Sequence, residues 1–575
     1  MSRRWTLAAL VLAVACVTFA TWPVVSAPRS SMFCNYLHPD CISNHWLLIW
    51  IGDALAHGRS ILHNDRYYWP VGDAPWLAGN GSEGFPYAVL HVLLGWPLAA
   101  NVHLVGILVL NGLSGYALAR ASGATEPASL TAVPTTALLV FCVQELGAGR
   151  FSQVSICWLA FFLAAWLRLL DGRGGPVLPA VLLAVTSFFY WYFGFFGVLA
   201  GALLLLFRRP ATRSLVVFGV TYLTLVAPLL FVFLHYWANI PGTTEVVFPH
   251  PEAIKDSTWP GIPFWDIGGR HAGRILPFTT CALALVGLLW RRDRVSWGLA
   301  AVALLFAGLM AGALVPHGPY ELVYGLAEPL QRFWWPYRHV VVLNLALIAL
   351  AARGASLLPR WAAVVVALSI PVQLAVQHAP WRPQFTLVKL PEPFYDGLAD
   401  APGTVLVEPP LSAAVASSQA QLLYQLFHRK QLLGGHALWV DRVRPPAWDA
   451  FVAENSFLTA MQRLERGELD GTFVFDPADL RALLDGGART FTLNREYFPI
   501  QLKGLVEAYT EVFLGLFGQP TATGRRVKAW DGGQWNGTFE VHFTPYAWPG
   551  GLRPGDGTLG IQGMHAESLV FSIPR

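Results

Sequence analysis

The chain has 575 residues, of which 54% are hydrophobic, 13% aromatic and only 13% charged, with a formal net charge of +4. An ordinary soluble domain carries about 25% charged residues, so this composition excludes a soluble globular fold and points to a polytopic membrane protein. The small positive excess sits mainly as arginines in short loops, without a basic tail or an aromatic-basic stripe; it is a topology signal, and no nucleic-acid partner is expected.

The chain opens with Arg3 and Arg4 and an apolar run ending in Val25-Ser26-Ala27, which imitates a signal-peptide cleavage site. Pro28 disfavours cleavage, so this segment reads as a first transmembrane helix entered from the cytoplasm. With it, apolar runs fall near 5–26, 85–119, 128–143, 153–170, 177–188, 190–207, 214–234, 275–290, 296–315, 339–357 and 361–378. They predict about eleven crossings of a ~30 Å hydrocarbon core, as helices, because a helix satisfies its own backbone there. The ambiguous places are the split at 188–190 and the run 85–119, read as one crossing plus a bent or interfacial piece around Pro97. Arg168 and Arg173, then Arg208, Arg209 and Arg213, then Arg291, Arg292 and Arg294, then Arg353 and Arg360 occupy alternate short connections, cytoplasmic by the positive-inside rule. The same count places 27–84, 235–274, 316–338 and everything after 378 outside.

From Trp381 the long apolar runs stop, and Glu392, Asp396, Asp400 and Glu408 mark a soluble outer domain over 379–575, distinct from the membrane domain 1–378. Residues 403–408 and 488–493 read as buried strands and 478–484 as a helix before the second, with Asp476 as its N-cap and Pro477 at its first position. Strand, helix and strand predict an α/β sheet. The glycine-rich tail from Gln534, containing 538–543, reads as a β appendage.

Of six cysteines, Cys16, Cys142, Cys157 and Cys281 lie in apolar segments as small buried hydrophobes. Cys34 and Cys41 lie in the first loop, at a spacing that suits either a local disulfide, if the loop faces an oxidising compartment, or two unpaired thiols. In the same loop Asp40 precedes a helix expected to open near Ser43. His45, Asp53 and His57 recur at multiples of four and share a stripe of that helix, while Trp46, Leu47, Trp50 and Ile51 are placed to rest on the membrane surface.

Asp40, the stretch Gly52-Asp-Ala-Leu-Ala-His-Gly58, then Asp65-Arg-Tyr-Tyr-Trp-Pro70 and Gly84-Phe-Pro86 together resemble the glycosyltransferase C (GT-C) superfamily. Tyr67-Tyr-Trp-Pro-Val-Gly72 and the later Arg332-Phe-Trp-Trp-Pro-Tyr-Arg338 are similar to elements of bacterial members. Glu408-Pro-Pro, Tyr424-Gln425, Gly434-Gly435 and Tyr497-Phe-Pro499 carry the likeness into the outer domain. The resemblance implies a GT-C-like helical bundle in a bacterial inner membrane, its N-terminus cytoplasmic. Such a protein transfers a sugar from a polyprenyl-phosphate-linked donor to a glycan, lipid or protein acceptor at the outer face, with inversion.

On that resemblance Asp40 inherits the general-base role, since a hydroxyl acceptor needs a carboxylate to take its proton as it attacks; the plainer role is a helix N-cap. Cys41 stands where several families place a Glu, a departure from their Asp-Glu pair. Arg338 and Arg332 become the donor-phosphate contacts, because arginine's planar fork suits phosphate oxygens. Asp65, His45 and, in the 235–274 loop, His250, Glu252 and Arg270 are candidates for substrate contact. His45 reads equally as a satisfied interfacial histidine, and a solvated loop explains the other three. Asp65 or Asp73 could join Asp40 around a divalent metal, but no compact ligand spacing supports it, and the metal-independent reading is preferred. The alternative reading is a transporter or lipid-handling protein, or an inactive relative; the scarcity of ionisable residues inside the apolar runs speaks against transport.

Overall fold

A computed structural model describes residues 3–34, 39–61, 63–72, 74–75, 83–239, 276–312, 315, 317–326, 330, 336–377, 383, 385–387, 393–411, 420–434, 445–495, 498, 502–525 and 527–546. They belong to two compact units: Met1–Asn35, Leu48–Ala56 and Leu77–Leu387 form the first, and Tyr36–Leu47, His57–Trp76 and Val388–Arg575 the second. The first polar loop is therefore shared out between the two units.

The first unit is a helical bundle. Arg3–Ala20, Leu98–Ala121, Glu126–Gly147, Phe151–Leu170, Thr212–Val232 and Pro336–Ala355 are long and apolar enough to cross a membrane. Shorter apolar helices occupy Gly84–Leu94, Val177–Phe189, Trp191–Leu205, Phe278–Trp290, Arg294–Met310 and Arg360–Val376. Breaks fall where the backbone is compelled to change course. The run 85–119 divides into Gly84–Leu94 and Leu98–Ala121 because Gly95 takes φ +68° and Pro97 follows it. The run near 190 divides at Tyr190, whose backbone is extended (φ −155°, ψ 105°). Gly194 lets the two halves close on each other, since a Cβ there would lie 2.2 Å from Ser187 Oγ and 2.8 Å from its Cα.

Phe278–Trp290 packs against Val340–Ala355 through a reciprocal pair of glycines. A Cβ on Gly287 would sit 2.1 Å from the Leu350 carbonyl oxygen, and one on Gly354 would sit 2.0 Å from that of Leu283. Backbone meets backbone here, as small residues allow between apolar helices. At the same end of these helices the arginine-bearing connections converge. Arg353, 2% exposed, pairs with Asp293, donates to the Ser122 carbonyl and bonds Ser296 Oγ at 3.1 Å; Arg291 donates to the Gly123 carbonyl at 3.1 Å. Arg173 and Arg208 pair with Asp171. The strand Ser31–Phe33 runs antiparallel to Phe385–Leu387, and the buried Asn101 amide donates to the Pro28 and Ser31 carbonyls at 2.8 and 2.7 Å.

The second unit is built on a five-stranded sheet in the order Gln431–Leu432, Val405–Val407, Thr490–Asn494, Val527–Asp531, Ala522–Thr523. The first three strands are parallel and the last two join antiparallel. Parallel strands need crossover helices, and Ala420–His428 and Pro477–Asp485 lie in the two connections. Asp476 caps the latter by accepting from the Ala478 amide at 2.8 Å, with Pro477 following. Glu540–His542 pairs antiparallel with Thr472–Val474 in a separate ladder.

The segment Asp65–Trp69 of the first loop docks beside the Gln431–Leu432 edge. Leu432 N–H donates to the Arg66 carbonyl at 2.9 Å, Trp69 N–H to that of Leu432 at 3.1 Å, and Tyr68 N–H to that of Gly434 at 3.0 Å. Tyr68 is 1% exposed and its ring lies 5.2 Å from that of Trp448. The Tyr-Tyr-Trp motif thus acts here as a piece of sheet and core.

Candidate active site

In the first unit, at the ends of the helices opposite the arginine-bearing connections, polar and aromatic groups gather around Arg338. The short 3-10 turn Pro336–His339 feeds Val340–Ala355 and presents Arg338, whose residual exposure is 9%. Its guanidinium lies over the rings of Tyr192, Tyr190 and Tyr337, with centroid distances of 4.7, 5.5 and 5.8 Å. Aromatic faces replace part of the hydration that burial removes. Next to this cage Arg150 bonds Glu145 Oε2 at 3.1 Å and the Tyr337 hydroxyl at 3.3 Å. His339 Nδ1 faces the Pro336 carbonyl at 2.7 Å and so carries the proton, which leaves Nε2 to accept from the Tyr324 hydroxyl at 2.6 Å. The His339 ring stacks on Phe196 at 4.3 Å, fixing the turn that aims Arg338.

A second polar group of the same unit centres on Glu83, immediately before Gly84–Leu94. It is 3% exposed and accepts from Ser155 Oγ at 2.8 Å. Burial pushes its carboxyl up to about 8, against the Ser155 bond that pulls it down. Asn111 supports the neighbouring backbone break, donating to the Val154 carbonyl at 2.8 Å and accepting from the Cys157 amide at 2.9 Å. Gly84 accommodates Ile51, whose Cγ2 would lie 2.3 Å from an added Cβ.

The first-loop candidates are partly placed. The helix begins at Pro39 and runs to Ala56, so Asp40 falls inside its first turn instead of ahead of an opening near Ser43. The side chain of Asp40 lies outside the described residues. The expected membrane-facing aromatic surface is corrected: Trp46 and Trp50 are each 4% exposed and Ile51 is fully buried. Trp46 is drawn inward because its indole donates to Gln425 Oε1 at 2.9 Å and its ring packs 5.6 Å from Tyr67. His45 is fully buried on the same helix. Asp65 is exposed, 3.8 Å from Arg59, and its carbonyl accepts from Gln431 Nε2 at 2.9 Å. Asp40, His45 and Asp65 belong to the second unit and Arg338 to the first. Cys34 and Cys41 are buried and in disulfide linkage, whereas Cys16, Cys142, Cys157 and Cys281 are free thiols.

Arg332, Asp73, His250, Glu252 and Arg270 lie outside the described residues. Among the described residues no group of three His, Cys, Asp or Glu side chains comes together as a metal site. The sequence reading passed over Glu83, Glu145, Arg150, Tyr190 and Tyr192. Glu145 and Arg150 did carry a signal, as a lone acid and base inside the short gap between the runs 128–143 and 153–170.

No family model and no curated protein matches the sequence. Solved structures do. The arabinofuranosyltransferase AftD from Mycobacteria aligns with 92% of this chain at 15% identity and a TM-score of 0.54, and a point variant of it at 16% identity and 0.56. The chain spans only 40% and 42% of those two proteins. ArnT from Cupriavidus metallidurans, solved with undecaprenyl phosphate, aligns with 92% of this chain and 98% of its own length at 14% identity and a TM-score of 0.40. The chain therefore shares the fold of these GT-C structures. The likeness to the mycobacterial arabinofuranosyltransferase carries that fold, and at this identity it carries nothing finer.

Proposed function

We propose that this chain is an integral membrane glycosyltransferase that moves a sugar from a polyprenyl-phosphate-linked donor to a cell-envelope glycan, lipid or protein on the outer face of a bacterial inner membrane. The observation that carries the reading is Arg338, a buried cation held by three tyrosines at one end of a GT-C bundle. The polyprenyl phosphate that leaves as the anomeric C–O bond breaks needs such a charge in a place of low dielectric. In this reading Arg338 holds the donor phosphate, with Arg332 assisting. Asp40 takes the acceptor proton, and Asp65, His45 and the 235–274 loop shape the substrate path. With about eleven crossings, as the sequence predicts, residues 379–575 are an outer α/β domain that contributes to acceptor binding. The Cys34 and Cys41 linkage accords with an oxidising outer face.

The test is transfer of radiolabelled sugar from extracted polyprenyl-phosphate donors to endogenous acceptors in a deletion background. Asp40→Asn is expected to abolish incorporation at normal membrane levels. Equal incorporation by the natural and Asn proteins would overturn Asp40 as the base, and no transfer by either would overturn the enzyme.

A further inference from the structure

The hydroxyl of Tyr190 is unaccounted for by the packing around it. Tyr190 is 2% exposed, and its hydroxyl finds no hydrogen-bond partner among the described residues. Leaving such a group buried and unsatisfied destabilises the fold, and a phenylalanine would keep the ring contacts without that penalty. The ring makes those contacts fully: it stacks on Tyr192 at 5.0 Å, meets Phe193 edge-on at 4.8 Å and lies 5.5 Å from the Arg338 guanidinium. The extended backbone of Tyr190 at the junction of Val177–Phe189 and Trp191–Leu205 holds it in place, with its N–H bonded to the Thr186 carbonyl at 2.9 Å.

A tyrosine whose ring lies 5.5 Å from a guanidinium brings a hydroxyl donor into the same cluster, a set of donors suited to an acceptor-only anion. The donors of a guanidinium point outward in its plane, so the faces can rest on tyrosine while the edge meets a ligand oxygen. Arg150, whose side chain is 25% exposed and bonded to Tyr337, marks the accessible flank of the cage.

We infer that Tyr190 is a specificity-determining residue whose hydroxyl, together with the Arg338 guanidinium, binds one phosphoryl oxygen. The inference deepens the glycosyltransferase reading and rests on it for the lipid attached to that phosphate; the anion site itself stands on the geometry.

The experiment is equilibrium binding to the purified full chain in lipid nanodiscs, natural and Tyr190→Phe, with three probes: undecaprenyl phosphate, undecaprenol and inorganic phosphate. Tyr190→Phe is expected to weaken undecaprenyl phosphate about tenfold, the usual cost of a hydrogen bond to a charged group, and to leave undecaprenol unchanged. The ligand-free unfolding temperature is expected to hold or rise. Inorganic phosphate that binds as tightly as the lipid, with the same dependence on Tyr190, supports the anion site and reassigns its source to free phosphate. Unchanged affinity for every phosphate probe overturns the inference, as does an equal loss for both lipids, which would report a packing defect. Tyr190-dependent phosphate binding in a protein that transfers no sugar would sink the enzyme reading and keep the site.

Discussion

At the scale of single residues, Arg338 is held by ring faces that a lysine cannot use in the same way. An ammonium is a compact, strongly hydrated point charge without a plane to stack, so Arg338→Lys keeps the charge and loses the fit over Tyr192 at 4.7 Å. Sugar transfer is expected to fall at least about tenfold, with most of the effect on the donor's KM; kinetics indistinguishable from the natural protein would remove Arg338 from the donor site. Glu83 makes a separate statement about pH. Its carboxyl is raised by burial to about 8 from an ordinary 4.5, so the neutral acid is the form the fold prefers. The stability it contributes is fully present below 4.5 and is lost as pH rises through about 8. Within that window the loss is roughly 1.4 kcal/mol per pH unit. Unfolding midpoints measured between pH 5 and 8.5 are expected to drop for the natural protein and to flatten for Glu83→Gln, and parallel curves would refute the assignment.

At the scale of elements, the contact between Phe278–Trp290 and Val340–Ala355 is sensitive to added volume. The atoms an alanine methyl would meet at Gly287 or Gly354 are carbonyl oxygens of the facing helix, which cannot swing away as a side-chain tip can. Gly354→Ala is expected to cost about 1–3 kcal/mol or more and to lower the yield of folded protein in detergent. Gly219→Ala, with nothing within 4 Å of the added methyl, is the matched control. Equal yields for the two variants would mean that the helices separate freely. Helix breaks were legible where glycine or proline imposes them, as at Gly95 and Pro97. The division of Glu126–Gly147 into Glu126–Ser129, Ala132–Ala137 and Val140–Gly147 was not, because no glycine or proline stands at the breaks 130–131 and 138–139, and Pro134 lies inside Ala132–Ala137.

For the whole molecule, the alternation of arginine-bearing connections has a direct test. In a chain whose free cysteines are replaced, a thiol introduced at Asp476 is expected to react with an impermeant reagent added from outside, and one at Gly174 only after the membrane is opened. Both positions are exposed, so the contrast reports sidedness alone; the reverse pattern would invert the proposed topology. The first loop shows how far a linear reading reaches. Its Tyr67-Tyr68-Trp69 motif was visible, but its docking against Gln431–Leu432 joins residues more than 360 positions apart, as in the Asp65 to Gln431 bond.

The sequence by itself determined the class of this protein: its apolar runs are long enough to cross a bilayer, its arginines alternate between connections, and a polar domain follows. Those properties are periodic or compositional, so they survive without knowledge of what each residue touches. It also determined the Asp476 cap, because an N-cap is satisfied by amides two or three residues ahead. Only the tertiary structure decided that Trp46 and Trp50 turn inward and that Glu145 and Arg150 pair beside Tyr337. The same holds for Arg338, caged by tyrosines from a helix junction nearly 150 residues earlier. A tryptophan suits a membrane interface and a protein core equally well, and a buried ion pair or cation–π contact is chosen by which helix ends meet, which no local pattern encodes.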